Sequence, residues 1–493
     1  MAVLRPQPRR ILLDDLANVT HAPVDGEVWV SGITHDSRQV QHGDLFVAVP
    51  GFQQHGIDFL ENAVSSGAVA VASDAHGVRV AQAFGLPTIE LTDVRREMAL
   101  LAAQVYGHPE RELTMLGVTG TNGKTTTASM IRHILHNDGI SVGMIGTLGT
   151  WCGEQHLPGA RTTPESTDLF ALLGYFREQG ITHVVMEVSS HALSLGRVAG
   201  ITFDVAVFTN LSQDHLDFHA TMDHYFEAKA SLFEATKHGI INGDDSYGKV
   251  LMSRALGSLP LSVVGADSEW TASNIVSDVS GHTSFDVTAP AGSFMGVHIP
   301  MFGHFNVTNA LCALATVSAI GIAIDNAANA LQSFAGVPGR CEVIPLLGNA
   351  TAVVDYAHTP DAVEKILSEL KAVNPTQLIT VIGCGGDRDP SKRFAMGHIA
   401  SQLSDVVIVT DDNPRTEDAN AIRAEVQRGA SHGAAQVRNI GDRRSAIHEA
   451  LSIAQVGDIV AVLGKGHESG QEVAGVIHPF DDREVIQQES THA

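Results

Sequence analysis

Cations are scarce in this sequence. The 493 residues carry 31 Lys and Arg against 55 Asp and Glu, a formal net charge of -24. A surface this acidic repels nucleic acid and anionic membranes. An anionic substrate must then be held by local cations and helix termini. Cysteine is as thin: Cys152, Cys312, Cys341 and Cys384 show neither a paired metal spacing nor a disulfide framework, the usage of a reducing cytoplasm. Long apolar runs are missing as well. Ala310 to Ile324 comes nearest to a membrane span, but Thr316, Ser318 and Gly321 interrupt it, and it reads as a core helix. Met1 to Arg10 is basic, yet only Ile11 to Leu13 follow before Asp14 and Asp15, so no signal peptide is expected. Apolar residues make up 44% and charged residues 17%, a globular composition. The length exceeds one ordinary core and predicts two to four domains.

The most informative stretch is Gly117-Val-Thr-Gly-Thr-Asn-Gly-Lys-Thr-Thr-Thr127. It follows an apolar run, Leu113 to Val118, that reads as a buried strand, and precedes a helical pattern from Ala128 to Leu135. Strand, glycine-rich turn and helix start together form a phosphate cradle, expected to take a nucleoside triphosphate. Lys124 would reach the terminal phosphates and Thr125 would ligate Mg²⁺. The spacing is irregular: the usual pattern puts its first glycine at 118, but here Gly117 stands one place earlier and Gly120 lies inside the loop.

Three segments are expected. Residues 1–93 mix short strands (27–34, 44–49, 68–72, 87–91) with helices. Residues 94–340 open with a helix over 94–106 and add strands at 141–145, 183–188 and 204–209. Residues 341–493 carry four apolar runs, at 352–354, 378–382, 406–410 and 459–463, each followed by a polar loop. Strands alternating with helices predict an α/β fold with parallel sheets and ligands at the strands' carboxyl ends. Glu187 and the Thr209–Asp217 stretch stand at such ends. A carboxylate buried at Glu187 is costly unless it is paired or binds a metal, and Mg²⁺ is the natural partner beside a triphosphate, with His215 a second ligand. Zinc fits Asp214, His215, Asp217 and His219 less well, because nothing completes a closed site. Asn306 is placed to cap the core helix or to meet a nucleotide, and Arg340 to reach phosphate from a hinge at 339–342. The strands and turns of 240–300 suggest an insertion with no chemistry assigned.

Five motifs, Gly120–Thr126, Met186–His191, Thr209–Asp217, Asp355–Pro360 and Gly464–Glu468, resemble the Mur ligases of peptidoglycan synthesis, in order and over nearly the whole chain. The resemblance implies an N-terminal UDP-binding domain, a central ATPase (Gly120, Thr121, Asn122, Gly123, Lys124, Thr125, Thr126, with Asn306 and Arg340) and a Rossmann-like C-terminal domain that admits an amino acid. It implies that Ser37 and the Phe52-Gln53-Gln54 loop hold the UDP-sugar, and that Thr162, Thr163, Ser189 and Arg197 hold the muramoyl dipeptide. His35 and Leu195 depart from the family pattern. Lys229 matches a lysine that the family carbamylates into a ligand for a second Mg²⁺. Asp412-Asn413-Pro414-Arg415 matches the loop that accompanies meso-diaminopimelate, whose distal carboxylate a guanidinium can grip. Arg393, Gly464 and Glu468 match its other contacts. The implied reaction is ATP-dependent amide formation through an acyl phosphate by a cytoplasmic, monomeric enzyme acting on small molecules. Ligases adding L-lysine or of the folylpolyglutamate type share the ATPase core and stand as alternatives. A nucleotide-switched binding protein is disfavoured by the lack of an Asn-Lys-x-Asp motif.

Overall fold

The structure, a computed structural model, describes residues 4–20, 27–51, 53–157, 159, 161–254, 259–346 and 350–490. Its centre is an eight-stranded sheet in the order Gln155–Leu157, Gly149–Cys152, Val142–Gly146, His183–Glu187, Thr114–Thr119, Phe203–Phe208, Thr236–Asn242, Leu261–Val264. The first two strands form an antiparallel hairpin edge and the other six are parallel. These strands are apolar on both faces because both faces are covered. Met115, Val184, Met186, Ala206 and Phe208 enter a core shared with Leu13, Ile33, Leu45 and Met98. Their neighbours Leu116, Val118, Val185, Val205 and Val207 enter one shared with Val353, Leu367, Ile382 and Leu463. The period-two alternation of strand side chains thus divides the central sheet between two cores, one holding the helices Val94–Val105 and Ser166–Glu178 with the N-terminal segment, the other the helices Lys124–Asn137 and His304–Ala319 with the C-terminal segment.

The N-terminal sheet is parallel, in the order Gly32–Thr34, Asp44–Ala48, Ala70–Ser73, Thr88–Glu90. The single strand expected over 27–34 is two: Trp29–Val30 pairs antiparallel with Ile11–Leu12, and Gly32–Thr34 joins the parallel sheet. Ser31 separates them, its N–H donating to Gly43 O at 2.8 Å. The C-terminal sheet runs Glu342–Pro345, Thr351–Asp355, Ile459–Leu463, Leu378–Ile382, Val406–Val409, Gln436–Asn439, parallel except for its first strand. Its four expected apolar runs are all strands.

Residues 271–299 form a separate antiparallel three-stranded sheet packed on the core helix, His304–Ala319. That helix starts six residues earlier than expected, with Gly303 at its N-cap in the left-handed region (φ +98°). Asn306 is therefore inside the first turn and does not cap it. Buried there, its Nδ2 donates to Phe302 O at 2.8 Å, satisfying a carbonyl upstream of the helix. Among the described residues no helix is long and apolar enough to cross a membrane.

Candidate functional site

The irregular glycine spacing resolves once each glycine's neighbours are known. Gly117 lies within the strand Thr114–Thr119, and a Cβ on it would come 2.8 Å from the Phe203 ring, so it is a packing glycine. Gly120 and Gly123 shape the loop. A Cβ would stand 1.9 Å from Thr209 Oγ1 at the first and 2.4 Å from Asn309 Oδ1 at the second, where φ is +85°. The end of the neighbouring strand braces the loop: Thr121 N donates to Asn210 O and Asn122 N to Asn210 Oδ1, both at 2.9 Å, and Thr209 Oγ1 donates to Asn122 O at 2.6 Å. The helix Lys124–Asn137 begins at Lys124, four residues before its apolar pattern, and turns its free N–H groups toward the loop. Lys124 Nζ donates to Gly120 O and Thr121 O, each at 2.8 Å.

Glu187 is fully buried at the carboxyl end of its strand. Its oxygens accept from Thr125 Oγ1 at 3.0 Å, Thr147 N at 2.8 Å and Thr147 Oγ1 at 3.1 Å. All three donors are neutral, and among the described residues no ion pair reaches this carboxylate. A buried anion beside the cradle hydroxyl, without a counter-charge in contact, is the donor set expected for Mg²⁺. Among the described residues no three His, Cys, Asp or Glu side chains cluster as a metal site. A cation at Glu187 would therefore complete its shell with Thr125, phosphate and water.

His215 and Lys229 belong to an adjoining group. Lys229 is 1% exposed, lies 4.7 Å from the centre of the Tyr225 ring and donates to Gly120 O at 2.8 Å, the same carbonyl that Lys124 uses. Burial, then the neighbouring Lys124, pull its amine well below the usual lysine range. His215, in a left-handed turn at φ +53°, packs edge-on to His191 at 4.8 Å. Burial holds its ring at about 4, so it is a neutral imidazole, as metal ligation requires. His219 is buried on Ser190 Oγ at 2.9 Å and is likewise drawn to about 4 by burial, which leaves it a packed core histidine.

Next to Glu187, Thr163 Oγ1 donates to the Glu187 carbonyl at 2.8 Å and accepts from Ser189 N at 3.1 Å. Thr162 Oγ1 is 3.0 Å from Thr147 Oγ1, and Arg197 Nη1 donates to Thr163 O at 3.0 Å. Arg197 also pairs with Glu165 at 2.7 Å, a carboxylate that Arg161 and Arg95 approach too. Burial pushes the Glu165 carboxyl up, and the guanidiniums more than offset that. The predicted dipeptide contacts Thr162, Thr163, Ser189 and Arg197 are thus one group. Of the N-terminal residues, Ser37 is buried and accepts from Asn62 Nδ2 at 3.4 Å, Gln53 and Gln54 form an exposed turn, and Phe52 lies outside the described residues. The two departures have local roles: His35 Nδ1 is 2.8 Å from Thr167 Oγ1, and Leu195 ends the short helix Ser190–Ser194.

In the C-terminal segment, Asn413 Nδ2 donates to Glu468 Oε2 at 2.8 Å, joining two strand-end loops. Gly464 sits at φ +114°, where a Cβ would press on Asp412 Oδ2 at 2.7 Å. Arg415 (φ +52°) donates from Nη1 to Gly386 O at 2.6 Å, and its Nε lies 3.4 Å from Glu472. Pro414 carries the turn between Asn413 and Arg415. Arg393 is buried against Glu417 at 2.9 Å and Glu425 at 3.4 Å, turned into its own helix pair and engaged by two carboxylates. The loops also connect back to the cradle. Arg340 stacks on Tyr356 at 4.3 Å, Tyr356 OH donates to Glu468 Oε1 at 3.4 Å, and Asn122 Nδ2 donates to Asp361 Oδ2 at 3.4 Å. Phosphate cradle and Arg415 loop therefore adjoin one region between the two sheets.

Residues 30–106 match the Mur ligase family catalytic domain, 118–317 the Mur ligase middle domain and 339–466 the Mur ligase glutamate ligase domain. A ligase of Streptomyces coelicolor described as UDP-N-acetylmuramoyl-L-alanyl-D-glutamate–2,6-diaminopimelate ligase is 44% identical over 98% of this chain and 97% of its own. The chain belongs to the Mur ligase family. A Corynebacterium glutamicum protein of the same description is 45% identical over 94% of this Mur ligase and 92% of its own length. A solved structure, again of a UDP-N-acetylmuramoyl-L-alanyl-D-glutamate–2,6-diaminopimelate ligase, aligns over 98% of this chain and 99% of its own with a TM-score of 0.70 at 33% identity. Mycobacterium tuberculosis folylpolyglutamate synthase, with ADP and AMPPCP, shares the fold at a TM-score of 0.62 and 19% identity, over 74% of this chain and 91% of its own.

Four residues of this Mur ligase were not picked out from sequence. Thr147 lies at the end of Val142–Gly146, where the strand-end rule, applied to every strand, would have found it. Asn309 stands one helical turn after Asn306, donates to its Oδ1 at 3.1 Å and meets the cradle at Gly123. Tyr225 carries no motif of its own. Lys465, within a quoted motif, is fully buried and reaches Asn413 Oδ1 at 3.0 Å and Glu468 Oε2 at 3.2 Å.

Proposed function

We propose that this Mur ligase forms an amide between meso-diaminopimelate and the D-glutamate of UDP-N-acetylmuramoyl-L-alanyl-D-glutamate, at the expense of ATP and through an acyl phosphate. The observation that carries the reading is that the C-terminal segment meets both sites: its Asp361 accepts from Asn122 of the cradle, and its Tyr356, under Arg340, reaches the Asn413–Glu468 loops. The three segments, 1–93, 94–340 and 341–493, take the UDP end, the triphosphate and the amino acid in turn.

The cradle N–H groups and the helix N-terminus hold the triphosphate, and Lys124 turns from its loop carbonyls to the terminal phosphate. Thr125 and Glu187 would hold Mg²⁺, with His215 near the same phosphates, and the ion would supply charge neutralisation as negative charge develops. Thr162, Thr163, Ser189 and Arg197 hold the dipeptide so that its D-glutamate carboxylate attacks the γ-phosphorus, releasing ADP. The amine of diaminopimelate then attacks the acyl carbon, the C–O bond to phosphate breaks, and the ammonium proton departs. Glu468 and Asp412 suit the substrate's ammonium, and Arg415 its distal carboxylate. The depressed pKa of Lys229 supports its carbamylation, because only a neutral amine adds to CO₂. The test is phosphate release from ATP. It should require both the nucleotide dipeptide and diaminopimelate, and a preference for L-lysine would overturn the specificity.

A further inference from the structure

Among the described residues the largest fully buried side chain, Arg443, touches no predicted substrate contact. Its Nε and Nη2 donate to Asp482 Oδ1 and Oδ2, each at 2.7 Å, and both side chains are 0% exposed. The guanidinium does more than close this pair. Nη2 also donates to Leu463 O at 3.0 Å, and Nη1 reaches Asp411 O at 3.5 Å. These carbonyls belong to the residues immediately before Gly464–Glu468 and Asp412–Arg415, the two loops that the Asn413–Glu468 hydrogen bond joins.

Stability alone does not account for the arrangement. A buried ion pair is commonly no more stabilising than a well-packed apolar pair of the same volume. Arg443 is also the first residue of the helix Arg443–Ile453, the end where the helix dipole opposes a cation. A guanidinium there is explained by its planar fork, which can fix a carboxylate and two separate carbonyls at once. Lys465, buried between the same two loops, has one ammonium to share between Asn413 and Glu468 and cannot replace it.

We propose that Arg443, oriented by Asp482, is a positioning residue for the amino-acid step: it sets the spacing between the Asp412–Arg415 and Gly464–Glu468 walls. This rests on the function proposed above. Arg443→Lys keeps the charge and loses the fork. Because a misplacement of ~1 Å in a site can cost ~10²-fold, the KM for diaminopimelate should rise about 10-fold or more. The KM values for ATP and the nucleotide dipeptide should stay within about twofold, and kcat within about threefold. Asp482→Asn should shift the same parameter in the same direction, by less. Melting curves of both variants establish that folded protein is assayed. An unchanged KM for diaminopimelate, with kcat falling in proportion to folded protein, would overturn the proposal, as would failure of both variants to fold, since the pair would then be a stability element. Wild-type enzyme that turns over no diaminopimelate would defeat the underlying reading instead.

Discussion

Replacing Arg415 by Ala probes the chemistry proposed for the amino acid's distal carboxylate. The side chain is 23% exposed, so a carboxylate bound to it would be largely withdrawn from water. A hydrogen bond to a charged group contributes about 1.5–3 kcal/mol. Taking ~2 kcal/mol, kcat/KM for meso-diaminopimelate should fall ~30-fold. Little of that loss should come from the fold. Arg415 contributes one bond to Gly386 O and a loose contact with Glu472, and the Glu472 carboxylate, 37% exposed, rehydrates when the guanidinium is gone. The backbone at φ +52° is equally unfavourable for Ala and Arg, so the exchange adds no new strain there. Arg415→Lys retains charge without the fork and should fall between. The assay is coupled phosphate release at saturating ATP and nucleotide dipeptide, with diaminopimelate and L-lysine varied in parallel. L-lysine, lacking the distal carboxylate, should lose nothing. The reasoning is refuted if diaminopimelate turnover stays within about threefold of wild type, or if turnover of both amino acids drops together.

Glu187→Gln keeps the shape and removes the anion, so kcat should fall by about 10²-fold or more, the scale of losing electrostatic stabilisation of the reacting phosphates; titrating turnover against Mg²⁺ should show a raised requirement. Gly123→Ala drives a Cβ against Asn309 Oδ1 at φ +85° and should cost about 1–3 kcal/mol, read as a melting temperature lower by several degrees and as lost nucleotide binding. If Lys229 is carbamylated, ¹³C-bicarbonate should give a carbamate resonance that Lys229→Arg abolishes; its persistence in that variant would place the modification elsewhere. Burial draws His219 and His467 to about 4 from an ordinary 6.5. The unfolded chain then binds more protons than the fold between those values, so stability rises with pH across that window and levels off above it. Melting temperatures measured from about pH 5 to pH 7 should show that slope, and His219→Asn should make it shallower without abolishing it, because His467 and His215 are drawn down as well.

Strand ends were the legible part of the chain. Glu187, Thr209, Asp355, Asp412 and Gly464 stand at the ends of apolar runs that form parallel strands, and a short unbroken apolar run with a polar exit marks such positions without reference to tertiary structure. Partnership was not legible. Nothing in the local pattern shows that Lys229, a helical residue marked only by the family resemblance, shares a carbonyl with Lys124, more than a hundred residues earlier. Arg393 illustrates the opposite difficulty. The resemblance assigns it to the amino acid, whereas its contacts in the structure are with Glu417 and Glu425, which no local pattern foretells. Asn306 was misplaced because Gly303, free to adopt φ +98°, starts the helix before its apolar stripe begins.

The alternation of side chains along the central strands has a consequence for how the chain comes apart. Residues 1–93 share one buried core with residues 94–340, and residues 341–493 share another, so a cut between 93 and 94 or near 341 divides a core. The nucleotide-holding layer is the filling of a sandwich. Denaturant should therefore encounter a cooperative whole, and fragments made at either seam should be sticky and poorly folded where three independent modules would stay intact.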